Sequence, residues 1–97
     1  MTTTITTRMT RPRAQSVAIL RWVFARGRRL ISCEIRWNGP RSHDVCVVPH
    51  WSVDQAVVEH FDRPSDALRR HAEIASSFRE AGWILMRERP DGNALAA

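Results

Sequence analysis

The sequence predicts an α+β domain, a four-stranded antiparallel meander packed against one C-terminal amphipathic helix, with room for a short fifth strand. Two observations carry this. Between Val17 and Phe61 the chain is rich in β-branched and aromatic residues and alternates apolar with polar. From Pro64 to Gly82 the period changes to that of a helix. Stepped at about 100° per residue, Ala67, His71, Ile74, Ala75, Phe78, Ala81 and Gly82 fall on one arc, and Arg69, Arg70, Glu73, Ser76, Ser77 and Glu80 on the opposite one. Sheet and helix each carry an apolar face, so each must bury the other.

Ser16 to Ala25 forms the first strand, and Arg26-Gly27-Arg28 the turn after it. Arg29 to Trp37 alternates cleanly: Ile31, Cys33, Ile35 and Trp37 point one way, and Ser32, Glu34 and Arg36 the other. A two-residue loop at Arg26-Gly27 or Gly27-Arg28 sets Leu20, Trp22 and Phe24 on the inner face with Ile31, Cys33 and Ile35. Ile19, Arg21, Val23, Leu30, Ser32, Glu34 and Arg36 then share the outer face. Asn38 to His43 reads as a loop, and Asp44 to Pro49 as a third strand. Ala56 to Phe61 reads as a fourth strand; a short helix is the alternative, because Ser52-x-x-Gln55 has the form of a capping box. In the helix, Pro64 suits a first turn, Asp62 or Ser65 an N-cap, and Gly82 the position just past the C-cap. Phe78, at the centre of the apolar arc, should meet Trp22, Cys33 or Ile35. Trp83 to Arg87 is apolar enough for a last short strand.

The chain has 97 residues, enough for one domain. Residues 1–15 hold six threonines and three arginines, and read as a disordered arm. Residues 90–97 open on a Pro-Asp-Gly turn signal and read as a disordered tail, leaving 16–89 as the folded domain. That unit is near the size at which a single core is marginal. No apolar run approaches the roughly 20 residues of a membrane helix. No apolar leader precedes the domain, and two cysteines in such a chain suit a reducing, cytoplasmic setting.

The net charge of +5 is uneven: +3 over residues 1–13, +4 over 14–44 and −2 over 45–97. All 15 basic residues are arginine, the better fork for phosphate. GC-rich coding produces the same bias, so the placement of the arginines bears on function more than their number. Arg21 and Arg36 lie on the outer face, Arg26, Arg28 and Arg29 at the first hairpin tip, and Arg41 in the second loop. Together they form a candidate nucleic-acid surface, with Arg8, Arg11 and Arg13 in the arm before it. Single-strand binding also needs exposed rings to stack bases. Trp22 and Phe24 face inward, which leaves Trp51 as the candidate. Against this stands a solvated face on which Arg21 pairs with Glu34 across the strands.

Other chemistries find little support. Cys33, Cys46, His43, His50, His60 and His71 form none of the paired spacings of a zinc site, although Cys33 and Cys46 could meet across neighbouring strands. Cys46 and His50 lack the elbow of a nucleophilic enzyme. The expectation is a protein without enzymatic activity, cofactor or metal. Its best reading is accessory single-stranded nucleic-acid binding through the basic first half. The alternative is a homodimeric interaction module using the outer sheet face. His71, on the apolar arc, should be packed with a ring nitrogen on a nearby acceptor. The ending Ala94-Leu95-Ala96-Ala97 has the form read by ClpX-type unfoldases on tagged bacterial proteins, which adds such an unfoldase as a candidate partner.

Val57-Val-Glu-His-Phe-Asp62, His71-Ala-Glu-Ile-Ala75 and Arg79-Glu-Ala-Gly-Trp83 resemble a family of small uncharacterised bacterial proteins sharing a pattern VVE-x-FD, RHAEIA-x-x-(L/F)REAGW. The resemblance spans residues 17–87, implies a bacterial protein and assigns no functional residue. In topology, a four-stranded meander followed by a helix resembles one repeat of the Whirly and Pur-type single-strand-binding proteins, which hold nucleic acid on the sheet. The Lys-Gly-Lys-Ala core of the Whirly proteins is absent here.

Overall fold

A computed structural model describes residues 3–6 and 16–89 of the chain. It is an α+β fold. The strands are β1 (Thr3–Thr6), β2 (Val17–Arg26), β3 (Arg29–Gly39), β4 (Ser42–Pro49), β5 (Val57–Phe61) and β6 (Ile84–Arg89), and the helix is α1 (Pro64–Glu80). They form one antiparallel sheet in the order β1-β5-β4-β3-β2-β6. The expected meander is β2 to β5, and the last short strand is β6.

The predicted parity holds. Arg26 pairs with Arg29, so Gly27-Arg28 is the two-residue loop. Gly27 has φ 62° and Arg28 does not share the positive φ, the pattern of a II′ hairpin turn. Leu20, Trp22 and Phe24 then oppose Ile35, Cys33 and Ile31. These inner-face residues build the core with Val45, Phe61, Ala67 and Ala75, and Phe24 is fully buried. Two alanines at the contact let the helix backbone lie close to the sheet.

Local turns depart from expectation in instructive ways. The second loop is tighter than Asn38–His43: β3 runs on to Gly39, which pairs with Ser42 and takes φ 148°. The segment around Ser52 resolves into a single 3-10 turn, Val53–Gln55, followed by the strand β5 rather than a helix. Ser52 makes no capping hydrogen bond there, and Val57 and Val58 prefer the pleated surface. The N-cap of α1 is Arg63, not Asp62 or Ser65, and it has no side-chain cap. Pro64 presets the first turn and Asp66 supplies its negative charge.

At the other end Gly82, φ 94°, sits just past the C-cap Ala81. Trp83 N–H donates to the Phe78 carbonyl at 2.9 Å and Gly82 N–H to that of Arg79 at 3.0 Å. This is a Schellman motif, completed by the Phe78–Trp83 ring contact at 6.0 Å. Phe78 meets Phe24, at 5.2 Å and edge-on, and packs against the core cluster that holds Cys33 and Ile35. Trp22 and Cys33 also meet His71, nearer the middle of the helix. The His71 Nε2–H donates to the Cys33 carbonyl at 3.1 Å, and its ring stands edge-on to Trp22 at 5.0 Å. A carbonyl only accepts, so the Nε2 nitrogen carries the proton.

Thr3–Thr6 fall inside the arm expected to be disordered, yet pair with β5 from Val58 to Phe61. Their β-branched residues suit a strand, and β5 would otherwise be a bare edge. Residues 7–15 and 90–97, with the Leu95-Ala96-Ala97 ending, lie outside the described residues. No described helix is long and apolar enough to cross a membrane.

The two cysteines do not meet. Cys33 opposes Val47 on the inner face and Cys46 opposes Glu34 on the outer one. Burial pushes both thiols up to about 12, helped for Cys33 by Cys46 and for Cys46 by Glu34. A disulfide reagent at neutral pH should therefore leave both unlabelled in the native protein and label both on denaturation. Rapid native labelling would mean that one of them is accessible. The folded value lies above the ordinary 9.0, so the stability these thiols contribute is complete below about pH 9 and is lost as pH climbs toward 12.

Candidate nucleic-acid interface

The six predicted arginines are divided among three places. Arg21 and Arg36 lie on the outer face, where both converge on Glu34. Arg36 Nη1 donates to Glu34 Oε1 at 2.9 Å, and Arg21 Nε lies 3.6 Å from Glu34 Oε2. Arg21 and Glu34 are direct cross-strand partners, which is the pairing that favours a solvated face. Arg36 also donates to the Ser16 hydroxyl at 3.0 Å and the Ser16 carbonyl at 3.1 Å. The donors of Arg36 are thus committed within the fold, whereas Arg21, its side chain 36% exposed, makes only the longer contact to Glu34.

Arg41 is exposed in the tight β3–β4 turn. The 11 residues of β3 separate it from the first hairpin; at roughly 3.3 Å per residue that is on the order of 30 Å. It belongs to the opposite end of the molecule.

Arg26, Arg28 and Arg29 stand together at the β2–β3 hairpin, all exposed and without an ion pair among the described residues. The topology brings other groups to the same end. β4 finishes at Pro49, which opposes Ile31, and the His50 N–H donates to the Leu30 carbonyl at 3.0 Å. This delivers Trp51 beside the hairpin, 45% exposed. The Arg29 guanidinium lies 4.6 Å from the Trp51 ring centroid, a cation–π contact. The Schellman turn delivers Trp83 from the other side. Its ring is parallel to Trp51 within 11°, centroids 6.2 Å apart, an offset stack.

The C-terminus of α1 completes this end. Arg79, in its last turn, places its guanidinium 5.9 Å from the Trp22 centroid. Arg26 Nε lies 4.0 Å from where a Cβ on Gly82 would point. Cations are favoured against the final helical carbonyls. The acids here are Asp54, in the 3-10 turn, and Glu80, both exposed. Among the described residues the end therefore carries four arginines against two carboxylates, around a stacked tryptophan pair.

The sequence reading missed Arg79 and Trp83, because neither lies on the basic strands. The signal was the Gly82 turn, which folds both back to the hairpin. Among the described residues no three His, Cys, Asp or Glu side chains gather as metal ligands would. His60 instead holds Asp44, Nδ1 to Oδ1 at 2.9 Å, on the outer face. Comparison with protein-family models, with curated proteins and with solved structures finds no match.

Proposed function

We propose that the β2–β3 hairpin end binds single-stranded nucleic acid. Arg26, Arg28 and Arg29 hold phosphates, and Trp51 or the guanidinium of Arg29 above it takes a base by stacking. The observation that carries this reading is the meeting of three arginines, without an ion pair among the described residues, with an exposed tryptophan from a separate chain segment. Arg36 and Arg41 drop out of the contact set, the first through Glu34 and Ser16 and the second through distance, and Arg21 stands five residues back from the hairpin on the outer face.

The test is titration of a fluorescent oligothymidine at low and rising salt. Replacing Arg26, Arg28 and Arg29 by Ser should flatten the salt dependence by up to about 0.7 per lost contact. Trp51→Ala should cost about 1–3 kcal/mol of binding. Absence of binding by the unaltered protein at low salt would end this reading.

A second reading, a homodimer through the outer face, is favoured by one feature. Leu30 and Ile84 flank Ala25 in a single row of that face, and both are exposed, as is Met86 two residues beyond Ile84. Light scattering separates the two: an apolar sheet contact persists in high salt, and a nucleic-acid complex does not.

A further inference from the structure

We propose that the wedge between α1 and strands β4–β5, on the inner face, binds a small amine or amidinium carried on an apolar or aromatic body. The wedge encloses about 280 Å³, room for a fragment-sized molecule. Val45, Val47 and Val57 form its floor, and Ile74 and Phe78 its helical wall. Glu59, Arg70 and Ser77 supply its polar groups.

Glu59 is the anomaly. It sits between Val57 and Phe61 at a position whose alternation faces the core, opposite Val45, and its side chain is only 8% exposed. An apolar residue of similar volume there would be as stabilising as the ion pair or more so. Stability therefore does not account for a carboxylate at the wall of a cavity. Its partner is shared. Arg70 Nε donates to Glu59 Oε1 at 2.7 Å, while its Nη1 lies 3.3 Å from Oε1 of Glu73, an exposed carboxylate outside the wedge. An anionic ligand would compete with both carboxylates for Arg70. A cationic donor adds a second partner to the Glu59 carboxylate, while the valines and Phe78 cover its apolar body. The flank of Val57 is also uncovered among the described residues, because the pairing of β1 with β5 stops at Val58.

The experiment is a titration of the whole ¹⁵N-labelled chain with three millimolar probes of one shape: 2-phenylethylamine, 2-phenylethanol and phenylacetate. The amine should shift the amides of Val45, Val47, Val57 and Ile74, at an affinity at least about tenfold above the alcohol and the anion. Glu59→Gln should bring the amine down to the level of the alcohol. Ser77→Trp, at an exposed rim position, should plug the wedge and abolish binding while Glu59 and Arg70 stay in place, so a failure of Glu59→Gln to fold leaves a decisive variant. Equal response to the three probes, preference for the anion, no response, or amine binding that survives Ser77→Trp would each overturn the proposal. None of these results depends on oligonucleotide binding.

Discussion

Replacing Phe24 by alanine is expected to unfold much of the protein. Phe24 has no exposed surface, lies opposite Ile31 on one side and Leu85 on the other, and stacks edge-on with Phe78. It therefore joins the meander, the helix and the last strand at one point. Truncating such a ring costs about 3–5 kcal/mol through lost transfer energy and the cavity left behind. A domain this small holds little more than that in total. Urea denaturation followed by tryptophan fluorescence gives the loss; a value below about 1 kcal/mol would mean that Phe24 is not the centre of the core. Phe78→Ala should cost less, because Phe78 is half-buried and already borders the wedge.

The second large effect is an asymmetry within one ion pair. Arg70→Leu strands the Glu59 carboxylate, 8% exposed, without its cation, and should cost about 2–3 kcal/mol. Glu59→Leu leaves Arg70, 41% exposed, free to turn to water or to Glu73, and should cost less than about 1 kcal/mol. The double replacement should lie near the unaltered protein, since both partners are then apolar. Denaturation of the three variants checks this. Equal losses for the two single variants would mean that Glu59 is more solvated than its position implies.

Much of the fold was legible because periodicity survives tertiary packing. The alternation of Ile31, Cys33, Ile35 and the parity imposed by a two-residue hairpin placed Trp22 and Phe24 correctly, and Gly82 marked the helix end. What escaped was set by neighbours distant in sequence. Thr3–Thr6 gain a reason to be a strand only beside the exposed edge of β5. Arg63 caps α1 by conformation alone, a role its side chain does not advertise. For the site, the arginines were legible as a charge count but not as a surface. Arg36 loses its availability to Glu34 and Ser16, and Trp51 gains a stacking partner only when the helix returns Trp83 to it. Neither the inward position of Glu59, which the register of β5 against β4 decides, nor the cavity beside it was read from the sequence, because empty space depends on how the helix leans.

The strand order also sets a sequence of events in time. Three of the five strand pairings join consecutive strands, whereas β1 meets β5 and β2 meets β6 across most of the chain. Ordering a long loop costs more entropy than ordering a hairpin, by about 0.6 kcal/mol per doubling of length. The meander can thus close before the two edges do, and the pairing of Ala25 with Ile84 waits on the helix that carries β6 into place. By the same reasoning the edges open first in the native state. Since Trp83 leads directly into β6, detachment of that strand pulls apart the tryptophan pair beside the arginines, so the upper limit on how long that surface stays assembled is the lifetime of an edge strand rather than that of the core.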